Sequence, residues 1–372
     1  MNNQSIHFPR SRTSVSSLIA LILGFVILIG VGLNLSYRPE LPHRPANAVY
    51  FWKTTFDPDS AEIKFIKEHA VKRVYMRMFD IVANRGAAPP EERVVPNATR
   101  RFPAIEDESF WQTHQSLADA AYVPTVYITV DALREMDGAV AQWAGKIVER
   151  VSNMVSYNFI PNVEGLQLDC DWTGSTEEIF FELCEAVKRE LQNRDKSLKL
   201  SSTIRLHQLS QPVPPVDFGV LMVYNTGNFT DPDAHNSILD PCDVEPYLGD
   251  LSGYRLPLDV AYPLYTWQLL FHDRKFAGLL RGVEMTDTTE FLRTGENTHR
   301  ALRDVVEGRT IIRKGDVVRT EKSDYKSISD IKKIIDRRIA SPNYSTTLYH
   351  LDSKTFSNLS HDEIDSIYIC RR

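Results

Sequence analysis

Cysteine is sparse in this chain and forms no pattern. Four cysteines, at 170, 184, 242 and 370, are scattered over 372 residues. That spacing matches neither a zinc site nor a dense disulfide framework. Cys170 and Cys184 read instead as free buried thiols, in a strand and in the helix after it. No histidine pair has ligand spacing, so neither a metal site nor a cofactor is expected. His207 and His350 read as ordinary loop or core residues. The one open route to a cation is an oxygen set of Asp131, Asp169 and Asp171. Walker, His-Glu-x-x-His and Gly-x-Ser-x-Gly motifs are all missing. After the first apolar segment stands Lys53-Thr54-Thr55-Phe56, where a phosphate-binding fold would carry a glycine-rich loop. An excess of either charge is lacking too. Lys and Arg number 43 against 49 Asp and Glu, with no basic stripe, which argues against nucleic acid as a partner.

Long apolar runs are absent except for one. Leu18 to Leu35 is almost wholly apolar, about the length that crosses a bilayer core. Arg10 and Arg12 precede it, so residues 1–17 are expected to be cytoplasmic and the remainder extracytoplasmic. A cleaved signal peptide, giving a secreted protein, is the alternative. No Cys follows the run, which excludes lipoprotein processing there. Residues 36–47 are proline-rich and read as an extended linker. One domain is expected over residues 48–372.

Within that domain strands and helices alternate. Strands are expected at 48–52, 74–79, 124–130, 163–171, 198–204, 218–224, 258–265 and 347–351. Helices are expected from Asp57-Pro58-Asp59 onward, at 109–121, 140–157, from a capping box at Ser175-Thr176-Glu177-Glu178 to about 193, and at 328–339 and 360–369. Phe276 to Leu280 is a further strand candidate. Residues 284–325 read as a charged insertion, with a hairpin around Lys314-Gly315-Asp316. About eight strand–helix repeats in a chain of this length predict an α/β fold, a (β/α)₈ TIM barrel behind a single N-terminal transmembrane helix. A doubly wound open sheet is the alternative.

Barrel sites form at the C-terminal ends of the strands. Those ends carry Trp52 and Lys53, Arg77 and Asp80, Thr129 and Asp131, Arg205 and His207, Tyr224 and Asn225, Tyr262, Tyr265 and Trp267, and His350 and Asp352. The fourth strand is the most informative: Val163-Glu164-Gly165-Leu166-Gln167-Leu168-Asp169-Cys170-Asp171-Trp172. Residues two apart on a strand share a face, so Gln167, Asp169 and Asp171 project together. Neighbouring carboxylates resist joint ionisation, which suits acid–base work on a polar substrate. The bland reading is a set of structural acids paired with Arg77 or Arg205. Trp52, Trp172 and Trp267 are either sugar platforms or packed aromatics. Trp111 and Trp143 lie in helical patterns and read as core.

Glu164 to Asp171 resembles the strand-four signature of family-18 glycoside hydrolases, Asp-Gly-x-Asp-x-Asp-x-Glu. Leu221-Met222-Val223-Tyr224-Asn225 is similar to that family's Met-x-Tyr-Asp. The segments Tyr75 to Asp80, Leu168 to Thr173 and Leu258 to Trp267 also resemble a group of bacterial glycosidase-like barrel proteins without an assigned activity. The resemblance implies Asp171 as general acid, Asp169 as its substrate-orienting partner and Tyr224 as a positioning group. Trp52, Arg77, Asp131, Trp172, Arg205, Asn225, Tyr262 and Trp267 would then bind substrate. The chain departs from the signature where Asp171 replaces Glu, Gln167 and Glu164 replace Asp, and Asn225 replaces Asp. The expected function is hydrolysis of a glycan by the strand-four carboxylates, and the resemblance implies N-acetylhexosamine units as one substrate option. The alternative is a non-catalytic glycan-binding or envelope-assembly protein. Expected partners are a glycan and, through the N-terminal helix, a membrane.

Overall fold

The computed structural model describes residues 40–369, apart from 85, 87, 88, 90, 91, 104, 281, 309, 342, 357 and 358. The expected cytoplasmic N-terminus, the apolar run 18–35 and the first part of the linker lie outside the described residues. Among the described residues no helix is long and apolar enough to cross a membrane.

Eight parallel strands close into a barrel. In chain order they are β1 (Asn47–Phe51), β2 (Val71–Ala83), β4 (Ala121–Ile128), β5 (Gly165–Asp169), β6 (Lys199–Arg205), β7 (Phe218–Met222), β8 (Leu258–Pro263) and β16 (Thr346–Tyr349). Each pairs with the next, and β16 returns to β1 through Ala48 with Thr347 and Val49 with Leu348. The short β3 (Val94–Asn97) lies antiparallel on the end of β2 and is not among the strands expected above. The helices read from the sequence cover the barrel, except that the one expected over 109–121 is broken into Ser109–Thr113 and Gln115–Ala118, with Ala121 already in β4. Ser60–Glu68 starts on a capping box between Asp59 and Glu62, and Val140–Tyr157 has the expected ends. That second helix buries Val140, Ala144, Ile147, Val148 and Val151 on one stripe. Each fully buried Val or Ile side chain among these contributes about 1.5–3 kcal/mol. Glu177–Arg194 begins differently from expectation. Thr176 occupies the N-cap position but its hydroxyl turns back to Thr173, so no capping box forms.

A second sheet interrupts the pattern after β8. It contains β9 (Thr266–His272), β10 (Lys275–Leu280), β11 (Phe291–Arg293), β12 (Thr298–Ala301) and β15 (Val317–Lys322), ordered β10-β9-β15-β12-β11. The insertion therefore starts earlier than residue 284. The expected hairpin around Gly315 is also corrected. The hairpin joins β13 (Val305–Glu307) to β14 (Thr310–Ile312), whereas β15 pairs with β9 and β12. Helices Tyr325–Arg338 and His361–Tyr368 flank β16 and complete the chain.

The barrel interior is layered and unusually polar. At its base Arg73 sits 3.1 Å from Glu164 and 3.9 Å from the fully buried Asp259. Asp259 also accepts from the Ser345 amide at 2.6 Å and lies 2.9 Å from His43 Nε2. The segment 40–46 is thus docked at the barrel base, not a free tether. Above this layer Tyr50 stacks on Tyr75 at 4.8 Å and donates to Gln167 Oε1 at 2.8 Å. Arg73→Met is expected to cost about 3 kcal/mol, because it removes the guanidinium that compensates a buried carboxylate. Urea unfolding measures this. A loss below about 1 kcal/mol would mean that His43 and the Ser345 amide suffice for Asp259.

Candidate functional site

At the C-terminal end of the barrel, β5 delivers Asp169 from its last residue and Asp171 just beyond. Their shared strand face brings both to Arg205, at the end of the neighbouring β6. Arg205 Nε donates to Asp171 Oδ1, and its Nη2 lies 3.4 Å from Asp169 Oδ1. Thr203, two residues earlier on the same face of β6, donates to Asp169 Oδ1 at 2.7 Å. The side chain of Asp169 is nearly closed off, whereas that of Asp171 is 46% exposed. Burial pushes the Asp169 carboxyl up, Arg205 pulls it down and Asp171 pushes it up again, and the net direction is up. For Arg205 burial works downward, but Asp169 and Asp171 outweigh it and the guanidinium is held above its ordinary value. One cation therefore bridges two acids in unlike surroundings: one buried, one open to the mouth.

Aromatic rings floor this end of the barrel. Tyr224 stacks on Tyr349 with centroids 4.4 Å apart and an interplanar angle of 16°. Its hydroxyl donates to Met222 Sδ at 2.9 Å, and burial followed by Tyr349 pushes its ionisation well up. Tyr349 also meets Trp52 at 5.8 Å and Tyr265 at 5.8 Å. The Arg77 guanidinium lies 5.3 Å from the Trp52 ring centre, and Arg77 pairs with Asp80 on its own strand. Tyr265 donates to Asn225 Oδ1, and Asn225 has a left-handed backbone at φ 53°. Tyr127, on β4, sits on the acid side of this group. Burial and then Asp171 push its phenol up to about 12.

The insertion supplies a rim. Trp267 of β9 is half-buried beside Tyr265 at 5.6 Å and donates from Nε1 to Glu321 Oε2 at 2.7 Å. The same carboxylate oxygen accepts from the Ser237 amide at 3.1 Å and hydroxyl at 2.5 Å. Arg319 lies 2.8 Å from the other Glu321 oxygen and donates to the carbonyls of Asp231 and Phe229. The loop after β7 is thereby fastened to the inserted sheet.

The structure gathers Asp169, Asp171, Arg205, Tyr224, Asn225, Trp52, Arg77 and Trp267 at this end. Asp131 stands in the first turn of the helix after β4, 3.0 Å from Arg134. Two expected binding residues are corrected. Trp172 is fully buried, stacked on Phe180 at 5.9 Å and edge-on to Phe181, so it offers no face to a sugar. Tyr262 is also fully buried and turns outward, with Lys332 of the helix layer 5.8 Å from its ring centre. Sequence reasoning missed Tyr349, Thr203 and Tyr127. The parity that points Thr347 into the barrel also points Tyr349 there, and that signal was available. Two cavities lie elsewhere, one of about 920 Å³ between β2–β3 and the Val140–Tyr157 helix, and one of about 580 Å³ at the barrel base.

No protein-family model matches the chain. A search of curated proteins likewise finds no match. Solved structures do share its fold. A chitinase from Bacteroides thetaiotaomicron superposes with a TM-score of 0.53 at 12% identity, over 88% of this chain and 96% of that one. The chitinase ChiA74 from Bacillus thuringiensis gives 0.52 at 11% identity, over 88% and 70%. The spore cortex-lytic enzyme SleL of Bacillus cereus gives 0.50 at 12% identity, over 88% and 74%. At these identities the likeness establishes the barrel fold alone, and the chemistry has to be argued from this chain's own residues.

Proposed function

We propose that this barrel binds a glycan across its C-terminal mouth and hydrolyses it, with Asp171 as proton donor and Asp169 as the acid that orients the substrate. One observation carries the reading: two carboxylates, one buried and one open, stand over a floor of stacked tyrosines at the end where barrel chemistry occurs. Carboxylates serve sugar hydroxyls and proton transfer, and flat aromatic faces suit pyranose rings. The chitinases that share the fold favour an N-acetylhexosamine glycan as the first substrate to try. With such a substrate the acetamido group can act as nucleophile, and one protein acid suffices. The apolar run 18–35 supports placing the barrel outside a membrane, where glycans of the envelope are reached.

A second reading, glycan binding without hydrolysis, is favoured by one specific feature. Asp171 stands where the similar signature has Glu, and its shorter carboxylate is tied to Arg205. Both readings are tested on one glycan panel, chitin oligosaccharides and peptidoglycan fragments. Products are followed by mass spectrometry and binding by calorimetry. Hydrolysis supports the first reading, and binding with every glycan left intact supports the second. Neither binding nor hydrolysis of any N-acetylhexosamine glycan would sink both.

A further inference from the structure

Far from the acids in sequence and in the barrel, the first and last helices bring three ligating side chains together. His69 follows the Ser60–Glu68 helix, and its imidazole is 4% exposed. His361 and Asp365 stand one turn apart on the His361–Tyr368 helix. His69 Nδ1 lies 2.7 Å from Asp365 Oδ1, and His361 Nε2 lies 3.3 Å from Asp365 Oδ2. One ligand atom from each of the three residues falls within 4.8 Å of the others, and the imidazole centroids are 4.4 Å apart. Two imidazole nitrogens thus converge on a single carboxylate.

We propose that His69, His361 and Asp365 form a divalent transition-metal site, with Zn²⁺ as the preferred ion, that fastens the last helix of the barrel to the first. Two neutral imidazoles and one carboxylate are a donor set that Zn²⁺ accepts, with bonds of about 2.0–2.2 Å and water completing a tetrahedron. Ligand atoms on a tetrahedral ion with such bonds lie about 3.3 Å apart, so the 2.7 Å pair of His69 and Asp365 would open slightly as the imidazoles turn onto the ion. The surroundings are graded as a site needs. Phe65 covers His69 at 4.5 Å, and Asn47 donates to the His69 carbonyl at 2.8 Å, which fixes its backbone. His361 is 51% exposed and leaves a path for the ion. The location gives the site a purpose. The barrel closes where β1 meets β16, and those strands join the two helices that carry the ligands. A metal there ties together segments that no short loop connects.

The test is Zn²⁺ titration of the full chain after stripping with a chelator, read by competition with a chromophoric chelator and by thermal unfolding. The expected result is one equivalent bound per chain and a midpoint raised by about 5 °C at saturating metal. His361→Ala and Asp365→Asn, both partly exposed, are expected to weaken binding by at least about tenfold and to remove the thermal shift. His207→Ala is expected to change neither. Co²⁺ substitution is expected to give the visible absorption of a four-coordinate site in the wild type and to lose it in His361→Ala. Two outcomes overturn the proposal. One is no binding by the wild type at about 100 μM Zn²⁺. The other is wild-type affinity and stoichiometry in His361→Ala, which would place adventitious metal elsewhere.

Discussion

Asp171→Asn is expected to lower glycan hydrolysis by about 10²–10⁴-fold while leaving affinity within about threefold. The substitution keeps the volume and removes the proton that the proposed donor supplies. Arg205 would retain Asp169 at 3.4 Å and Thr203 would still donate to it, so the buried half of the site survives. Turnover and binding should therefore separate, and steady-state kinetics beside calorimetry would read that separation. Unchanged turnover would remove Asp171 from the mechanism. Asp171→Glu then tests reach independently of charge. The extra methylene moves the carboxyl outward by about 1 Å, a displacement that can change rates on the order of 100-fold. A gain in rate would identify the short side chain as the limit on the proposed hydrolysis, and a loss would mean that Arg205 and Asp171 are matched at their present length.

The second large effect is structural. Gly165→Ala is expected to destabilise the barrel by more than about 4 kcal/mol, or to prevent folding. A Cβ on Gly165 would sit 2.0 Å from the Lys199 carbonyl oxygen and 2.9 Å from its carbonyl carbon. Both are backbone atoms of the paired strand β6, so no rotamer change relieves the clash. The strand would have to move, and with it Asp169 and its partners Thr203 and Arg205. Soluble yield and denaturant unfolding would show the effect. Gly174→Ala, where nothing lies within 4 Å of the added carbon, is the control. A loss at position 165 no greater than at position 174 would contradict this account of the strand pairing.

Most of the barrel is legible in the sequence because its parallel strands are continuous apolar runs separated by amphipathic helices. Apolar spacing locates the Val140–Tyr157 helix to the residue. Local signals of comparable appearance succeed or fail by tertiary context. The Asp59/Glu62 capping box forms, whereas the similar pattern at Thr176 does not, because Thr173 takes its hydroxyl. The inserted sheet is the least legible part. Its strands pair with distant partners, so β15 goes to β9 and not to its sequence neighbour β14.

At the site, strand parity is the reliable guide and strand-end position is not. Gln167, Asp169 and Asp171 share one parity, and Asp169 and Asp171 meet Arg205 as that parity requires. Trp172 belongs with Leu168 and Cys170, which are fully buried in the outer core, and Tyr262 belongs with Val260. Tyr349 shares the inward parity of Thr347 and joins the floor. Arg205 as the bridge between both acids follows from neighbouring strands, a relation that a linear sequence carries only through the assumed strand order.

The fastening of the loop after β7 to the inserted sheet has a kinetic consequence. Glu321 holds Ser237 and Trp267 together, and Arg319 holds the carbonyls of Phe229 and Asp231. The rim of the mouth is therefore preorganised. Its conformational entropy is lost when the chain folds and not when a ligand arrives, so association should proceed in one step without a slow closing phase.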